Sequence, residues 1–226
     1  MTRARKHTRL YGGLGGEERR AERRLRLIEA AIRVYGEAGY RNATVKAVCE
    51  AADLTERYFY ESFANSEALL LAAYTDITDE LHAEMEAVGS DFGDDAEGRI
   101  VAVLTLYFTR LRENPRSARV FLLEIAGISL AVDVMKMKAV KRMSEVLLPA
   151  SGDQFRVGKK TSLSLLPTGM IGAVISIALR WVSHNYSQPT EDVVAAAAAF
   201  CRVAMLGIER TASSRSSNAK KSLRST

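Results

Sequence analysis

Residues 44–63, TVKAVCEAADLTERYFYESF, decide the fold of the first part of this chain of 226 residues. Thr44 can cap a helix. The apolar residues after it recur at helical spacing: Val45, Val48, Cys49 and Ala52. Asp53 lies where the chain must turn, and Asp tolerates the left-handed backbone conformation better than most residues. Because Thr55 can cap a second, shorter helix, the stretch predicts two helices joined by a tight turn, as in a helix-turn-helix.

The predicted second helix, about 55–61, carries polar and aromatic side chains that suit contact with a nucleic acid. In a helix-turn-helix, one helix braces the phosphate backbone and the next enters the major groove. Phe59 and Phe63 are spaced to face inward at this helix and its exit, so we expect both in the core. The motif therefore predicts a DNA-binding module.

The residues around the motif resemble the TetR family of transcriptional regulators. The resemblance is carried by three stretches, IEAAIRVYGEAGYRNATV from Ile28, LTERYFYESF from Leu54 and NSEALLLAAY from Asn65. The chain departs from the family pattern at two positions. Asp53 stands where the family usually has Gly, and Ser66 stands where it usually has Lys. We expect the second departure to remove one phosphate contact.

The resemblance implies an all-α fold of about nine helices, with an N-terminal three-helix DNA-binding domain and a C-terminal helical domain for ligand binding and dimerisation. The expected division is a disordered basic arm at 1–16, a helix-turn-helix domain at 17–64, an effector-binding and dimerisation domain at 65–210 and a disordered basic tail at 211–226. We place helix one at about 17–38, and its predicted buried stripe is Leu25, Ile28, Ala31 and Tyr35. The later helices are expected at about 66–88, 94–113, 115–127, 130–149, 165–186 and 190–210.

Roles on DNA follow from side-chain chemistry. Thr44 and Lys46 open the first helix of the motif, where a hydroxyl, an ammonium and free backbone N–H groups suit a phosphate. The candidates for reading base edges are Thr55, Glu56, Arg57 and Tyr58. Glu56 has an alternative role, in which it caps the helix or orients Arg57. The resemblance assigns Tyr60 to the duplex backbone.

The resemblance also implies a small-molecule effector that binds among helices four to eight. Its binding is expected to change the distance between the two DNA-binding modules of the dimer. The candidate lining residues are Tyr107, Phe108, Phe121, Met135, Met137, Met170, Trp181 and His184. The aromatic and Met residues among them have an alternative role as ordinary core, because aromatic and Met stripes usually pack there. Arg180 and His184 either orient a polar group of the effector or lie on an exposed helix edge.

Small residues in the last two helices predict close helix packing. Helix eight carries Gly169, Gly172 and Ser176, and helix nine carries an alanine run at 195–199. A helix that is apolar nearly all round needs partners on several sides, and a second copy can supply one. TetR-like proteins generally dimerise through such a pair, which predicts a homodimer through about 165–186 and 190–210. A purely intramolecular bundle is the alternative.

Charge and composition limit the remaining classes. The net charge of +5 is concentrated at the two ends, and residues 1–60 hold 13 Lys and Arg against 8 Asp and Glu. Three scattered histidines and two distant cysteines form neither a metal cluster nor a nucleophile–base set, so we expect no enzyme, cofactor or metal. Cys49 and Cys201 are expected as buried free thiols of a cytoplasmic protein. The uncharged run 161–179 contains Pro167 and is not expected to span a membrane.

The sequence thus predicts a sequence-specific transcriptional regulator. Its expected form is a homodimeric repressor of an inverted-repeat operator in double-stranded DNA, released by a small, largely apolar ligand. The alternative is a helical protein-interaction module with degenerate, non-specific DNA binding, which the loss of Lys at Ser66 favours.

Overall fold

The computed structural model describes residues 15–93, 95–147 and 166–222, and for 166 and 207–222 only the backbone. These residues form nine α-helices and no strand, as the sequence predicts. The helices are α1 (Gly16–Ala38), α2 (Val45–Ala52), α3 (Glu56–Ser62), α4 (Ser66–Ser90), α5 (Ala96–Glu113), α6 (Pro115–Arg119), α7 (Leu130–Leu147), α8 (Leu166–Ser183) and α9 (Thr190–Ser222). Most of the predicted arm, at 1–14, lies outside the described residues, as does 148–165.

The DNA-binding module consists of α1, α2 and α3, and local capping explains its boundaries. The Thr44 hydroxyl accepts a hydrogen bond from the Ala47 N–H at 3.1 Å, which confirms it as the cap of α2. Asp53 ends α2 in the left-handed conformation, with φ 53° and ψ 48°, as predicted for the turn. The prediction for Leu25 was wrong, because its side chain is 54% exposed. The buried face of α1 begins at Leu27, nearly opposite Leu25 on the helix.

Arginines of α1 hold the other two helices by capping their C-terminal ends. Arg26 and Arg33 donate to the carbonyl oxygens of Ala52 and Ala51 at the end of α2, each at 2.7 Å. At the end of α3, Arg20 donates to the carbonyl oxygen of Glu61 at 2.7 Å, and Arg24 donates to that of Ser62 at 3.0 Å. A guanidinium satisfies free carbonyls and complements the negative end of a helix dipole. Much of the basic excess of this region therefore stabilises the module internally.

The C-terminal domain begins with α4, whose cap is Asn65, as its side chain accepts from the Ala68 N–H at 2.8 Å. Helix α4 packs against α1, α5 and α7, and α9 packs against α5 and α8. Helix six was predicted to run to residue 127 as one α-helix, and this was wrong. It changes to a π turn over Val120–Glu124, after which Gly127 adopts a positive φ of 67°. A single π turn widens the helix by one residue, and such turns are common at functional sites.

The last helix was predicted to end near residue 210 with a disordered tail from 211, but the helical backbone continues to Ser222. No Gly or Pro follows Gly207 to terminate the helix, and several residues there, including Ala and Lys, favour helix. Residues 223–226 of the predicted tail lie outside the described part of the chain. Cys49 and Cys201 are buried free thiols, as predicted.

The two domains meet where α1 crosses α6. A Cβ on Gly36 would lie 2.6 Å from the Cβ of Arg116, so this position requires glycine. Beyond the end of α1, a carboxylate oxygen of Glu124 accepts from the Tyr40 N–H at 2.9 Å. Because Glu124 is the last residue of the π turn, the C-terminal domain contacts the chain just before α2 directly.

Candidate nucleic-acid interface and ligand cavities

One face of the module combines a rigid support with exposed polar side chains. Phe59 and Phe63 are buried, as predicted, and anchor α3 on the core. Thr55, Glu56 and Arg57 are exposed on the first turn of the same helix. The first turn is the part of a recognition helix that meets base edges.

Arg57 is held by Glu61 rather than by Glu56. Its Nε donates to a carboxylate oxygen of Glu61 at 3.0 Å, one turn along the helix. The second oxygen of Glu61 lies 3.8 Å from an Nη of Arg23 on α1. The Arg57 side chain is 83% exposed, so its terminal amino groups are open to an approaching ligand. Glu56 has no ion-pair partner within the described ranges.

The two tyrosines of α3 differ in accessibility. The Tyr60 side chain is 60% exposed and packs edge-on against Phe59, with ring centroids 5.1 Å apart. Its hydroxyl therefore projects from a fixed ring. Tyr58 is half-buried, and the guanidinium of Arg23 lies 4.5 Å above its ring. That contact covers one face of Tyr58 and leaves less of it for a base.

The phosphate-binding candidates lie at the start of α2. Thr44 is exposed although its hydroxyl caps the helix, and Lys46 is exposed beside Glu50, with 3.8 Å between their charged atoms. An exposed Lys–Glu pair at this spacing is weak and leaves the ammonium free to move. At the position where the family usually has Lys, Ser66 is half-buried and begins α4.

A first cavity, of about 40 Å³, lies between α4, the π turn, α7 and α8. Its wall is mostly apolar, with a few polar groups near the opening. The lining residues are Tyr74, Thr78, Leu81, His82, Met85, Phe121, Ala139, Val140, Arg142, Met143 and Ile175. Arg142 forms an ion pair with Asp79, and His82 Nδ1 lies 3.9 Å from a carboxylate oxygen of Glu86.

A second cavity, of about 180 Å³, lies between α1, α4, α5 and α6. It has an apolar floor and an acidic rim formed by Asp76, Glu80 and Glu84. Glu84 is paired with Arg110, whose Nε lies 2.6 Å from a carboxylate oxygen. Burial, with the charges of Glu29 and Asp79, raises the pKa of the Asp76 carboxyl. The lining holds three carboxyl groups against one guanidinium, that of Arg110, and this excess disfavours an anion.

Only Phe121 of the predicted lining residues contacts both cavities. Tyr107, Phe108, Met170 and Trp181 are buried around them and line neither one. Met135 is half-buried against the core. Met137 and His184 are exposed, and Met137 reaches 72% exposure. Arg180 is also exposed, so His184 and Arg180 lie on an exposed helix edge.

Sequence reasoning missed the wall that α4 contributes. Tyr74, Thr78, His82 and Met85 lie on one face of that helix and line the first cavity. Their spacing of three and four residues is visible in the sequence, with polar groups inside an otherwise apolar stripe. Polar side chains within an apolar stripe are more typical of a cavity wall than of ordinary core. This pattern was the signal in the sequence that could have identified the wall.

No group of three or more His, Cys, Asp or Glu side chains suited to holding a metal occurs in the described part of the chain. Within the same ranges, no helix is both long enough and apolar enough to cross a membrane.

Comparison with known proteins agrees with this geometry. Residues 27–73 match the family model of bacterial regulatory proteins of the TetR family. No curated protein matches the chain significantly. Among solved structures, the fatty acid degradation regulator FadR from Bacillus halodurans gives a TM-score of 0.65 at 18% identity, covering 82% of this chain and 94% of its own.

Two further structures are similar. FadR from Bacillus subtilis, in complex with stearoyl-CoA, gives a TM-score of 0.64 at 20% identity. The match covers 80% of this chain and 96% of the FadR chain. A TetR family transcription regulator from Marinobacter aquaeolei VT8 gives a TM-score of 0.62 at 20% identity. The match covers 83% of this chain and 97% of that chain. At these identities, the structures establish the fold alone. The chain therefore carries the DNA-binding domain of the TetR family and has the fold of TetR-family transcriptional regulators.

Proposed function

We propose that this protein is a homodimeric repressor that binds an inverted-repeat operator and leaves it when a small, largely apolar ligand binds. The observation that carries the proposal is the reading face of α3, where Arg57 is exposed on a helix anchored by Phe59 and Phe63. A rigid helix with exposed polar side chains is what major-groove recognition requires.

Arg57 is the residue proposed to read a base. Because Glu61 occupies its Nε, both terminal amino groups remain for the O6 and N7 acceptors of a guanine. Arg23 in turn holds Glu61 from α1. Glu61 is therefore proposed as the positioning residue, the role that sequence reasoning considered for Glu56. Thr55, Glu56 and Tyr58 remain candidates for neighbouring bases, and Thr44, Lys46 and Tyr60 for phosphates.

An exposed apolar face supports the proposed dimer. On α8, Gly169, Gly172 and Ser176 are exposed, and a Cβ on either glycine would meet open space. On α9, Phe200 and Val203 are exposed although apolar. Small residues allow close approach, and apolar ones gain free energy from burial. A second copy seated on α8 and α9 would provide both, and the two-fold axis would make the operator an inverted repeat.

The two cavities support a ligand-responsive regulator. They lie between α4 and the helices around it, and Glu124 at the end of the π turn contacts the backbone of Tyr40 just before α2. A ligand that moves the π turn would therefore act on the reading module. The stearoyl-CoA bound to the Bacillus subtilis FadR is an example of a largely apolar ligand on this fold.

The test is selection of a random pool of duplex DNA at near-physiological salt, with Arg57→Ala as the matched variant. The parent should enrich an inverted repeat, and Arg57→Ala should relax the guanine position. The energy of a bidentate pair predicts a loss of about 1–3 kcal/mol in each half-site. Weak, unselective binding that salt abolishes would contradict the proposal and favour the interaction-module alternative.

A further inference from the structure

Two side chains lie between the two cavities. Phe121 and Leu81 belong to the walls of both, and Phe121 lies on the π turn. Drug-sized ligands occupy pockets of roughly 300–1,000 Å³, which exceeds either cavity as it stands. An effector therefore needs additional space, and displacing Phe121 would join the two cavities.

Phe121 is placed where it can move. Its ring stacks on that of Tyr74, with centroids 5.7 Å apart, and meets Tyr107 edge to face at 6.4 Å. The π turn that carries it has one residue more per turn than an α-helix, so its register can shift without unfolding α6. A shift of this turn would withdraw the ring from between Tyr74 and Tyr107.

Behind Phe121 lies a polar group without a partner. The Tyr107 hydroxyl is fully buried, and no hydrogen-bond partner for it is present among the described residues. Buried hydroxyls are usually paired because an unpaired one loses its hydrogen bonds to water. Tyr107 lies one turn before Arg110 and Leu111, which line the second cavity, and therefore on the same face of α5.

We propose that Phe121 is a gate between the two cavities and that the effector is an elongated, uncharged, largely apolar molecule with one hydrogen-bond acceptor, which receives the Tyr107 O–H. The inference deepens the proposed ligand response and rests on it. An uncharged acceptor is specified because the two guanidiniums that line the cavities, those of Arg110 and Arg142, are already paired with Glu84 and Asp79. The acidic rim of the second cavity also disfavours an anion.

The experiment compares three linear probes of equal chain length, namely undecane, methyl nonyl ketone and undecanoate. Binding is followed by the fluorescence of Trp181, the only tryptophan, whose ring lies 5.7 Å from Phe108 beside Tyr107. The full chain is used as the parent and as Tyr107→Phe, which removes only the hydroxyl. The ketone should bind the parent at least tenfold more tightly than undecanoate does.

Tyr107→Phe should weaken ketone binding by about tenfold and leave undecane unchanged, because only the ketone can use the hydroxyl. The same variant should raise the thermal unfolding midpoint by about 2–4 °C, since it removes an unpaired buried group. A hydroxyl with a purely structural role would not give both changes. Equal loss for ketone and undecane, equal binding of undecanoate, or no binding of any probe to the parent would overturn the proposal.

Phe121→Leu tests the gate separately and keeps an apolar side chain. Both neutral probes should bind it several-fold more tightly, because a smaller side chain must be displaced. Weaker binding would show that Phe121 is a fixed wall. Operator binding is measured in parallel: release of DNA by the ketone tests the proposed function. Ketone binding through Tyr107 without release would support the site and contradict the ligand-released repressor.

Discussion

The DNA-binding module (α1–α3) and the C-terminal domain differ in how completely they pack and pair their groups. In the module, arginines of α1 bind the end carbonyls of α2 and α3, and Phe59 is fully buried. The C-terminal domain has the two cavities that Phe121 borders, a π turn, and a Tyr107 hydroxyl with no partner among the residues that the structure describes. The module has a comparable group in the Ser62 hydroxyl, but that residue ends a surface helix.

The difference fits the two tasks proposed for the molecule. Reading DNA requires side chains fixed on a rigid support, and the internal caps of the module suit that task. Responding to a ligand requires space that can be filled and an element with two arrangements. The proposed gate at Phe121 would provide both, and the contact of Glu124 with Tyr40 would connect it to the module.

The largest test of this comparison removes one phenylalanine from each region. Phe59→Ala should reduce the free energy of unfolding by about 3–5 kcal/mol, because the side chain is fully buried. The loss for Phe121→Ala should be smaller than that for Phe59→Ala by at least about 1 kcal/mol, because the Phe121 ring already borders two cavities. Chemical denaturation of both variants measures the difference. Equal losses would show that the cavity walls are packed as tightly as the module.

The second test is at the junction. Glu124→Ala removes the acceptor of the Tyr40 N–H and the partner of Arg119, whose Nη lies 3.2 Å from the carboxylate. The half-buried amide would lose its partner, so we expect a loss of about 1–3 kcal/mol in denaturation. Glu113→Ala, which breaks an exposed pair with Arg110, is the control and should change stability by less than about 0.5 kcal/mol.

A third, smaller effect concerns the module alone and compares two carboxylates on α3. Glu61→Gln should lower discrimination between the operator and a guanine-substituted duplex by about fivefold, because a neutral amide oxygen holds the Arg57 Nε more weakly than a carboxylate does. Glu56→Gln makes the same change of charge without that contact. Fluorescence anisotropy with both duplexes measures the ratio. If both variants behave alike, Glu61 acts only through its charge.

The smallest expected effect is at the turn. Asp53 holds a φ of 53°, which glycine adopts without strain, and the side chain is fully exposed. Asp53→Gly should therefore stabilise the chain by about 0.5 kcal/mol, offset in part by a more flexible unfolded state. Thermal unfolding measures it, with Asp53→Ala as the destabilised control. Stabilisation by alanine would contradict the strain argument.

Local signals were sufficient to predict most helix boundaries. Thr44 and Asn65 mark helix starts because their side chains cap the backbone next to them, and Pro115 marks the start of α6 because proline suits the first turn. The turn at Asp53 was predictable for the same reason. The inward orientation of Phe59 also followed from helical spacing.

Features that depend on long-range packing could not be predicted. The π turn follows α6 where the chain packs on α1 and α4, and no residue type signals it. The arginine caps join residues up to 41 positions apart, so no local pattern in α1 indicates them. Met137 fits an apolar stripe yet faces outward, because the neighbours of α7 cannot be read from its own sequence.

The proposed repressor depends most directly on two copies of the chain reading two half-sites. The decisive measurement is the Kd of the parent for the selected inverted repeat, compared with the same duplex carrying one scrambled half-site. For a cooperative dimer, scrambling one half-site should reduce the affinity at least a hundredfold. The largest possible loss is the whole sequence-specific part of the binding free energy, about 4–10 kcal/mol. Equal affinity for both duplexes would contradict a dimeric, sequence-specific reader.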